Sequence, residues 1–221
     1  MKSLRAILFK DIAVEWRNKE AISSMFMFGV LTMVIFNYTV DPTGFDRSEL
    51  SPGVLWVAFT FAGVIGLNRS LNMEIDNECL QALLLAPLTR GDLYLGKVAS
   101  NFVFMMTAEL LIIPPFVILN NLPIDSRILG IVGVAILGTL GFVSVGTILS
   151  MIAAQTRMKE VILAILQIPL TVPVILMAVK STGMIIANET AGISSRLAVL
   201  GAFTIVYLTA SYLLFDYVVE E

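Results

Sequence analysis

The sequence contains no histidine, one cysteine and few charged residues. Without histidine, the chain lacks the commonest metal ligand and the usual general base at neutral pH, which disfavours many classes of enzyme. The lone cysteine, Cys79, cannot form an intrachain disulfide. Charged residues make up 14% of the 221 residues and hydrophobic residues 57%, whereas about 25% of the residues of soluble domains are charged. This composition excludes both a soluble globular domain and a disordered chain.

The charge balance also excludes nucleic acid as a partner. The 14 basic and 17 acidic residues give a net charge of −3, whereas nucleic-acid binders carry a basic surplus on one face. The mean hydropathy is +0.90. We therefore expect the lipid bilayer to be the main surroundings of this chain.

Six long stretches of the sequence carry almost no charge. A helix needs about 20 mostly apolar residues to cross roughly 30 Å of hydrocarbon. Glu109 is the only charged residue inside these stretches. Strands of a membrane barrel would alternate apolar and polar residues, and these stretches do not. The sequence therefore predicts an all-α integral membrane protein, a single domain with six transmembrane helices over residues 21–40, 52–67, 98–120, 128–154, 161–179 and 197–215.

The positions of lysine and arginine predict the orientation of these helices. Most of them lie in the amino-terminal tail and in the loops after the second and fourth stretches. Because basic residues are retained on the cytoplasmic side, we expect both termini in the cytoplasm. Trp56, near the start of the second stretch, suits an anchor at the membrane interface.

Residues 1–20 precede the first stretch and carry a narrow apolar stripe. Leu8, Ile12 and Trp16 are spaced four residues apart and are flanked by basic residues. This spacing predicts an interfacial helix lying on the cytoplasmic leaflet. A solvated basic tail is the alternative interpretation.

The cytoplasmic loop over residues 68–97 combines charge with a dense cluster of leucines. Acidic residues before an apolar run and a proline after it are helix start and stop signals. The pattern predicts a short amphipathic helix that docks in a groove of a partner protein. The alternative is that the leucines rest on the bilayer or on neighbouring spans. The residues of this predicted docking helix are Asp76, Glu78, Leu80, Leu83, Leu84 and Pro87.

The same loop contains an incomplete phosphate-binding motif. Gly91, Gly96 and Lys97 fit the spacing G-x-x-x-x-G-K, but the hydroxyl residue that binds magnesium and the preceding strand are both missing. We therefore expect Lys97 to extend its amine to the membrane interface instead. The chain is not predicted to hydrolyse ATP, so ATP would have to be bound by a separate partner subunit.

The run from Glu78 to Lys97, with its leucine cluster and Pro87, resembles the first cytoplasmic loop of type-2 ABC exporter permeases. The segment Ile168-Pro-Leu-Thr-Val-Pro-Val-Ile-Leu176 is similar to the proline-spaced segment of the haem exporter B (CcmB) family of cytochrome c maturation. Six spans, total length and the place of Trp56 also agree with that family. The chain departs from the pattern at Cys79, where glycine is usual.

This resemblance implies a permease subunit that pairs with a second copy of itself and with ABC ATPase subunits. It also implies a haem-handling membrane protein and a haem chaperone as partners. The predicted docking helix would be the ATPase-coupling element. ATP closing the ATPase subunits would push on it, and the second and third spans would carry the motion into the membrane.

Four intramembrane residues are candidates for a functional role. Glu109 is either a polar contact in a transport path or subunit interface, or a protonated carboxyl bonded to a neighbouring span, for instance to Gln167. Pro169 and Pro173 are four residues apart and lie on one face of the fifth span. Each removes a backbone donor, so we expect a kinked helix, which is either a moving hinge or a static bend.

No haem site can be assigned from the sequence. Axial ligands of haem iron come from His, Cys, Met or Tyr, and methionines in apolar spans more often serve packing. We therefore expect this chain to bind no cofactor and haem ligation to belong to a partner. A type-2 ABC permease that exports a lipid or drug, a secondary transporter and a non-transporting membrane assembly factor remain alternatives. A haem-binding membrane partner on purification would favour the haem pathway.

Overall fold

The computed structural model describes residues 7–14, 19–39, 47–76, 89–154, 159–189 and 191–220. All regular secondary structure in these ranges is helical. Helix α1 spans residues 7–14. The other helices are α2 (Glu20–Thr39), α3 (Arg47–Asp76), α4 (Arg90–Leu119), α5 (Ser126–Ala154), α6 (Lys159–Ile186) and α7 (Ile193–Glu220).

Helices α2 to α7 are each long and apolar enough to cross a membrane. The predicted all-α fold with six spans is therefore confirmed. Because these helices are six, an even number, the start of α2 and the end of α7 lie on the same side of the bilayer. Which side they occupy stays a prediction.

The segment between the second and third spans is shorter than the predicted loop. Helix α3 continues to Asp76 and α4 begins at Arg90, so residues 68–76 and 90–97 are helical. Thr89 caps α4, since its hydroxyl accepts a hydrogen bond from the backbone N–H of Asp92 over 3.2 Å. The apolar length of a segment predicts where it crosses lipid, whereas the helix continues as far as its backbone hydrogen bonds and caps allow.

Helix α5 lies at the centre of the bundle. Residues 141–150 are all buried, and α5 packs against α3, α4, α6 and α7. Helix α2 lies at one edge and packs on α3 and α4. The outward faces of the edge helices are apolar, as lipid contact requires. Exposed large side chains include Met27, Leu31, Ile35, Ile165, Leu213 and Leu214.

Trp56 is buried inside the bundle, so its predicted role as an interfacial anchor is wrong. Its side chain is 3% exposed, and its indole Nε1 donates to Thr182 Oγ1 over 3.0 Å. A Cβ at Gly138 would overlap the indole ring. Glycine at position 138 therefore lets the large ring fit between α3, α5 and α6.

Helix α1 is held against the start of α4. Ile7 is 4% exposed and lies against Gly96, where a Cβ would be 3.1 Å from Ile7 Cγ2. The predicted stripe is only partly described, because Trp16 lies outside the described residues. Phe9 is 70% exposed, so α1 buries one face against α4 and leaves an aromatic side chain on another.

Candidate functional site

Most of the predicted docking helix lies outside the described residues. Glu78, Leu80, Leu83, Leu84 and Pro87 fall there. Asp76 is the last residue of α3, and its side chain is also outside the description. The docking helix and its ATPase-coupling role therefore stay a prediction.

The described structure does show what this segment is attached to. It joins α3 and α4, two helices of 30 residues each that continue into membrane spans. Their prolines, Pro52, Pro114 and Pro115, lie toward the ends of the helices that are far from this segment. The turns next to the segment therefore keep the regular hydrogen bonds that make a helix stiff. A force applied between Asp76 and Arg90 would therefore act on two spans at once.

The first turns of α4 are fixed to three other helices. Arg90 Nη1 donates to the backbone oxygen of Asp216 on α7 over 3.1 Å. Tyr94, which is fully buried, donates from its hydroxyl to the backbone oxygen of Ser144 on α5 over 3.1 Å. Its ring also packs against Phe215, with centroids 5.2 Å apart. Motion of α4 would therefore reach α5 and α7 directly.

The third helix that contacts the start of α4 is α1, which is bound to Lys97 by an ion pair. Its Nζ lies 3.0 Å from Asp11 Oδ2, and its side chain is 3% exposed. The prediction that this amine reaches the membrane interface is wrong. A buried ammonium group needs an opposite charge nearby, and α1 supplies one.

A small polar pocket, with room for about one water molecule, lies between α3, α4 and α5 beside Lys97. Asn101 Nδ2 donates to Thr147 Oγ1 over 3.1 Å, and Ser150 Oγ donates to the backbone oxygen of Thr147 over 2.8 Å. Ser70 and the apolar residues Leu67 and Met151 complete the lining. The charge pattern of the sequence does not reveal this pocket, because most of its polar residues are uncharged. The signal that was present is the four-residue spacing of Lys97 and Asn101 on one helix face.

Glu109 lies fully buried between α4 and α5. The hydroxyl oxygen of Thr139 is 2.7 Å from each of its carboxyl oxygens. The partner suggested from the sequence, Gln167, is therefore wrong. A hydroxyl can donate to a carboxylate or accept from a protonated carboxyl, so a hydrogen bond between Thr139 and Glu109 can form in either state.

Gln167 is also fully buried, on α6. Its backbone oxygen accepts a hydrogen bond from Thr171 Oγ1 over 2.9 Å. In contrast, its side-chain Nε2 and Oε1 have no hydrogen-bond partner among the described residues. A Cβ at Gly146 would lie 2.6 Å from Nε2, so the amide lies against the backbone of α5.

Helix α6 continues through both prolines. Pro169 is exposed and Pro173 is half-buried, and α6 runs from Lys159 to Ile186. The hydroxyl of Tyr207 on α7 donates to the backbone oxygen of Leu170 over 2.6 Å. A side chain of a neighbouring helix thus contacts one backbone carbonyl of the proline-containing turns, where the regular hydrogen bonding of the helix is weakened.

The part of the chain that the structure describes contains no group of three His, Cys, Asp or Glu residues that could hold a metal ion. Polar side chains of α3, α4, α5 and α6 thus make contacts that are buried between membrane helices. Such contacts fix helices relative to one another or change when the helices move.

The family model described as CcmB protein matches residues 2–219, which is nearly the whole chain. The chain belongs to the CcmB family. The resemblance inferred from the leucine-rich loop and the proline-spaced span is therefore confirmed.

Several curated proteins named Heme exporter protein B are similar to this CcmB chain. The protein from Haemophilus influenzae is 23% identical over 205 residues, covering 93% of this chain and 91% of that protein. The protein from Escherichia coli K12 is 23% identical over 200 residues, covering 87% and 86%. The protein from Pseudomonas aeruginosa is 23% identical over 172 residues, covering 77% and 76%. The similarity thus extends over most of the length of each protein.

Proposed function

We propose that this chain is the membrane permease subunit of an ABC-type haem exporter that serves the maturation of c-type cytochromes. The observation that carries this proposal is the match of the CcmB family to residues 2–219, together with relatives named Heme exporter protein B. The six apolar helices support a multi-pass protein of the inner membrane. The permease itself does not act as an enzyme in this proposal.

A separate ABC ATPase subunit would supply the energy, and a second copy of this chain would complete the membrane part. The ATPase would dock on the helix predicted from Asp76 to Pro87. The stiffness of α3 and α4 supports this role, because both helices lead from that segment into the bundle. The contacts of Arg90, Tyr94 and Lys97 would pass the motion to α7, α5 and α1.

A haem-handling membrane protein and a haem chaperone would be the further partners. The sequence has no histidine, the commonest residue among haem ligands in globins and peroxidases. In this proposal the partner proteins therefore hold the haem iron. The permease contributes ATP-driven movement within the assembly.

Glu109, Gln167, Pro169 and Pro173 would act inside the membrane. We place Glu109 with Thr139 as a polar contact that keeps α4 and α5 in register, supported by the 2.7 Å distance between them. We place the two prolines as the region where α6 bends during the transport cycle. Gln167 lies directly before this region.

The test of the haem pathway is complementation. A strain that lacks its own haem exporter B is given this chain with its ATPase, and covalently bound haem in c-type cytochromes is measured by peroxidase staining and absorption spectra. We expect restoration of holocytochrome c. Normal holocytochrome c without the chain, or export of a lipid or drug with no effect on cytochromes, would overturn the proposal.

The test of coupling is the double variant Glu78→Lys with Leu84→Asp. We expect the ATPase to be lost from the purified complex, because a reversed charge and a buried aspartate oppose docking in an apolar groove. The matched control is Glu189→Lys with Ala191→Asp, at exposed positions between α6 and α7. Full ATPase recovery and wild-type ATP turnover in the first variant would refute the docking site.

A further inference from the structure

Gln167 combines complete burial with an unbonded amide. Its side chain is 0% exposed, and both Nε2 and Oε1 lack hydrogen-bond partners among the residues that the structure describes. Buried polar groups in proteins are nearly always bonded, and an exception needs an explanation. In the membrane interior, where water does not compete, an unbonded amide destabilises the conformation that contains it.

A bonding group is carried by the residue that follows the glycine against which this amide packs. Gln167 Nε2 packs against Gly146, and the next residue is Thr147. The hydroxyl of Thr147 accepts a hydrogen bond from Asn101 over 3.1 Å, and a hydroxyl that accepts one bond can still donate another. Thr147 and Asn101 therefore offer both a donor and an acceptor to an amide that reaches them.

A small polar pocket lies on the same side of the bundle, and Thr147 and Asn101 line it. Leu67 also lines this pocket, and a Cβ at Gly146 would overlap its side chain. The leucine thus lies beside the same glycine as the amide, and moving it would open the way from Gln167 to the pocket.

The helix that carries Gln167 is built to bend nearby. Pro169 and Pro173 each lack a backbone N–H, so the carbonyls of Ile165 and Pro169 lose their usual helical donors. A bend in these turns would change the direction in which the first half of α6, including Gln167, approaches α5. The amide, the pocket and the weakened helix thus occur together at one helix crossing.

We propose that Gln167 is a two-state switch, unbonded in the conformation described here and bonded to Thr147 and Asn101 in a second conformation of the transport cycle. The unbonded amide raises the free energy of the first state, and the new bonds lower that of the second. The free-energy difference between the two states is then smaller, and ATP-driven movement of the spans needs less energy to overcome it. This inference rests on the proposed function as an ATP-driven permease.

The test compares stability with turnover in the complex with the ATPase subunit, reconstituted in lipid nanodiscs. Gln167→Leu and Gln167→Met replace the amide with apolar groups of similar size. We expect the thermal unfolding midpoint to rise by a few degrees while ATP turnover falls about tenfold. If Gln167 served only to hold the structure together, replacing it would not raise the unfolding midpoint while lowering ATP turnover.

Two further variants complete the test. Thr147→Val removes the partner, so we expect a similar loss of turnover without the gain in stability, and no further loss in the double variant with Gln167→Leu. Ser181→Ala is the control, because this serine is equally buried on α6 and its hydroxyl donates to the backbone oxygen of Met177 over 2.8 Å. Its turnover should stay at the wild-type value.

The inference is overturned if the Gln167 variants keep wild-type turnover, or if stability and turnover fall together. It is also overturned if the loss of ATP turnover in the double variant equals the product of the losses in the two single variants. ATP turnover does not depend on which compound is exported. A failure of the switch is therefore distinguishable from a failure of the haem proposal, which appears in cytochrome c formation instead.

Discussion

Lys97 Nζ lies 3.0 Å from Asp11 Oδ2, with the lysine side chain 3% and the aspartate side chain 11% exposed. The pair joins a short amphipathic helix to the first turns of the third span. Asp11 Oδ1 also lies 3.0 Å from Lys10 Nζ. Because the Lys10 side chain is 41% exposed and that of Lys97 is 3% exposed, the bond to Lys97 contributes more to holding α1 in place.

Removing Asp11 should destabilise the protein because it takes away a charged hydrogen-bond partner of the buried Lys97 ammonium group. We expect Asp11→Ala to lower the free energy of unfolding by about 1.5 to 3 kcal/mol. The double variant Asp11→Lys with Lys97→Asp should recover part of the loss. Thermal unfolding in detergent measures both. An unchanged midpoint in Asp11→Ala would contradict a structural role of the ion pair.

The effects of substitutions at Glu109 and Thr139 on the free energy of unfolding should be coupled. Thr139→Val leaves the buried carboxyl without its hydroxyl partner, and we expect a loss of about 1 to 3 kcal/mol. Glu109→Gln keeps a group that can bond to the hydroxyl, so its loss should be smaller. A double-mutant cycle by thermal unfolding measures the coupling. Additive losses in the cycle would show that the two side chains act independently.

Gly138 should tolerate no side chain. A Cβ there would overlap the Trp56 ring, so we expect Gly138→Ala to destabilise the protein by about 1 to 3 kcal/mol. Gly133 on the same helix is the matched control, since a Cβ there meets no atom within 4 Å among the described residues. Gly133→Ala should be neutral or stabilising by up to about 1 kcal/mol. Equal effects of the two substitutions on the unfolding midpoint would contradict the packing.

The single native cysteine allows a direct test of orientation. We expect Cys79 to be protected in intact cells from a membrane-impermeant maleimide added outside, because the predicted topology places residue 79 in the cytoplasm. A Cys79→Ser chain with Glu189→Cys, at the exposed turn between α6 and α7, should be labelled. Labelling is read by mass shift on a gel. The opposite pattern would invert the topology.

The membrane architecture was accessible from the sequence because it depends on composition over long stretches. Each of the six predicted spans overlaps one of the helices α2 to α7, and the family assignment made from the loop and the proline-spaced span is confirmed. The helix ends were not accessible. They depend on local caps, such as the bond from Asp92 to Thr89 at the start of α4, which have little effect on hydropathy.

The polar contacts inside the bundle were the least predictable feature. The amine of Lys97 was expected at the membrane interface and Trp56 was expected to be an interfacial anchor, whereas both side chains are buried. Their partners are 86 and 126 residues away in sequence. No local periodicity identifies such a partner, because it depends on which helices become neighbours and at what height.

The sequence by itself determined six lipid-crossing helices, since a backbone in hydrocarbon must satisfy its own hydrogen bonds and needs apolar side chains facing lipid. It also determined membership of the CcmB family. Only the tertiary structure decided that Asp11 neutralises Lys97, that Thr139 rather than Gln167 bonds to Glu109, and that the amide of Gln167 is left unbonded. These outcomes depend on the relative rotation and depth of packed helices, which the pattern of residues along one helix does not fix.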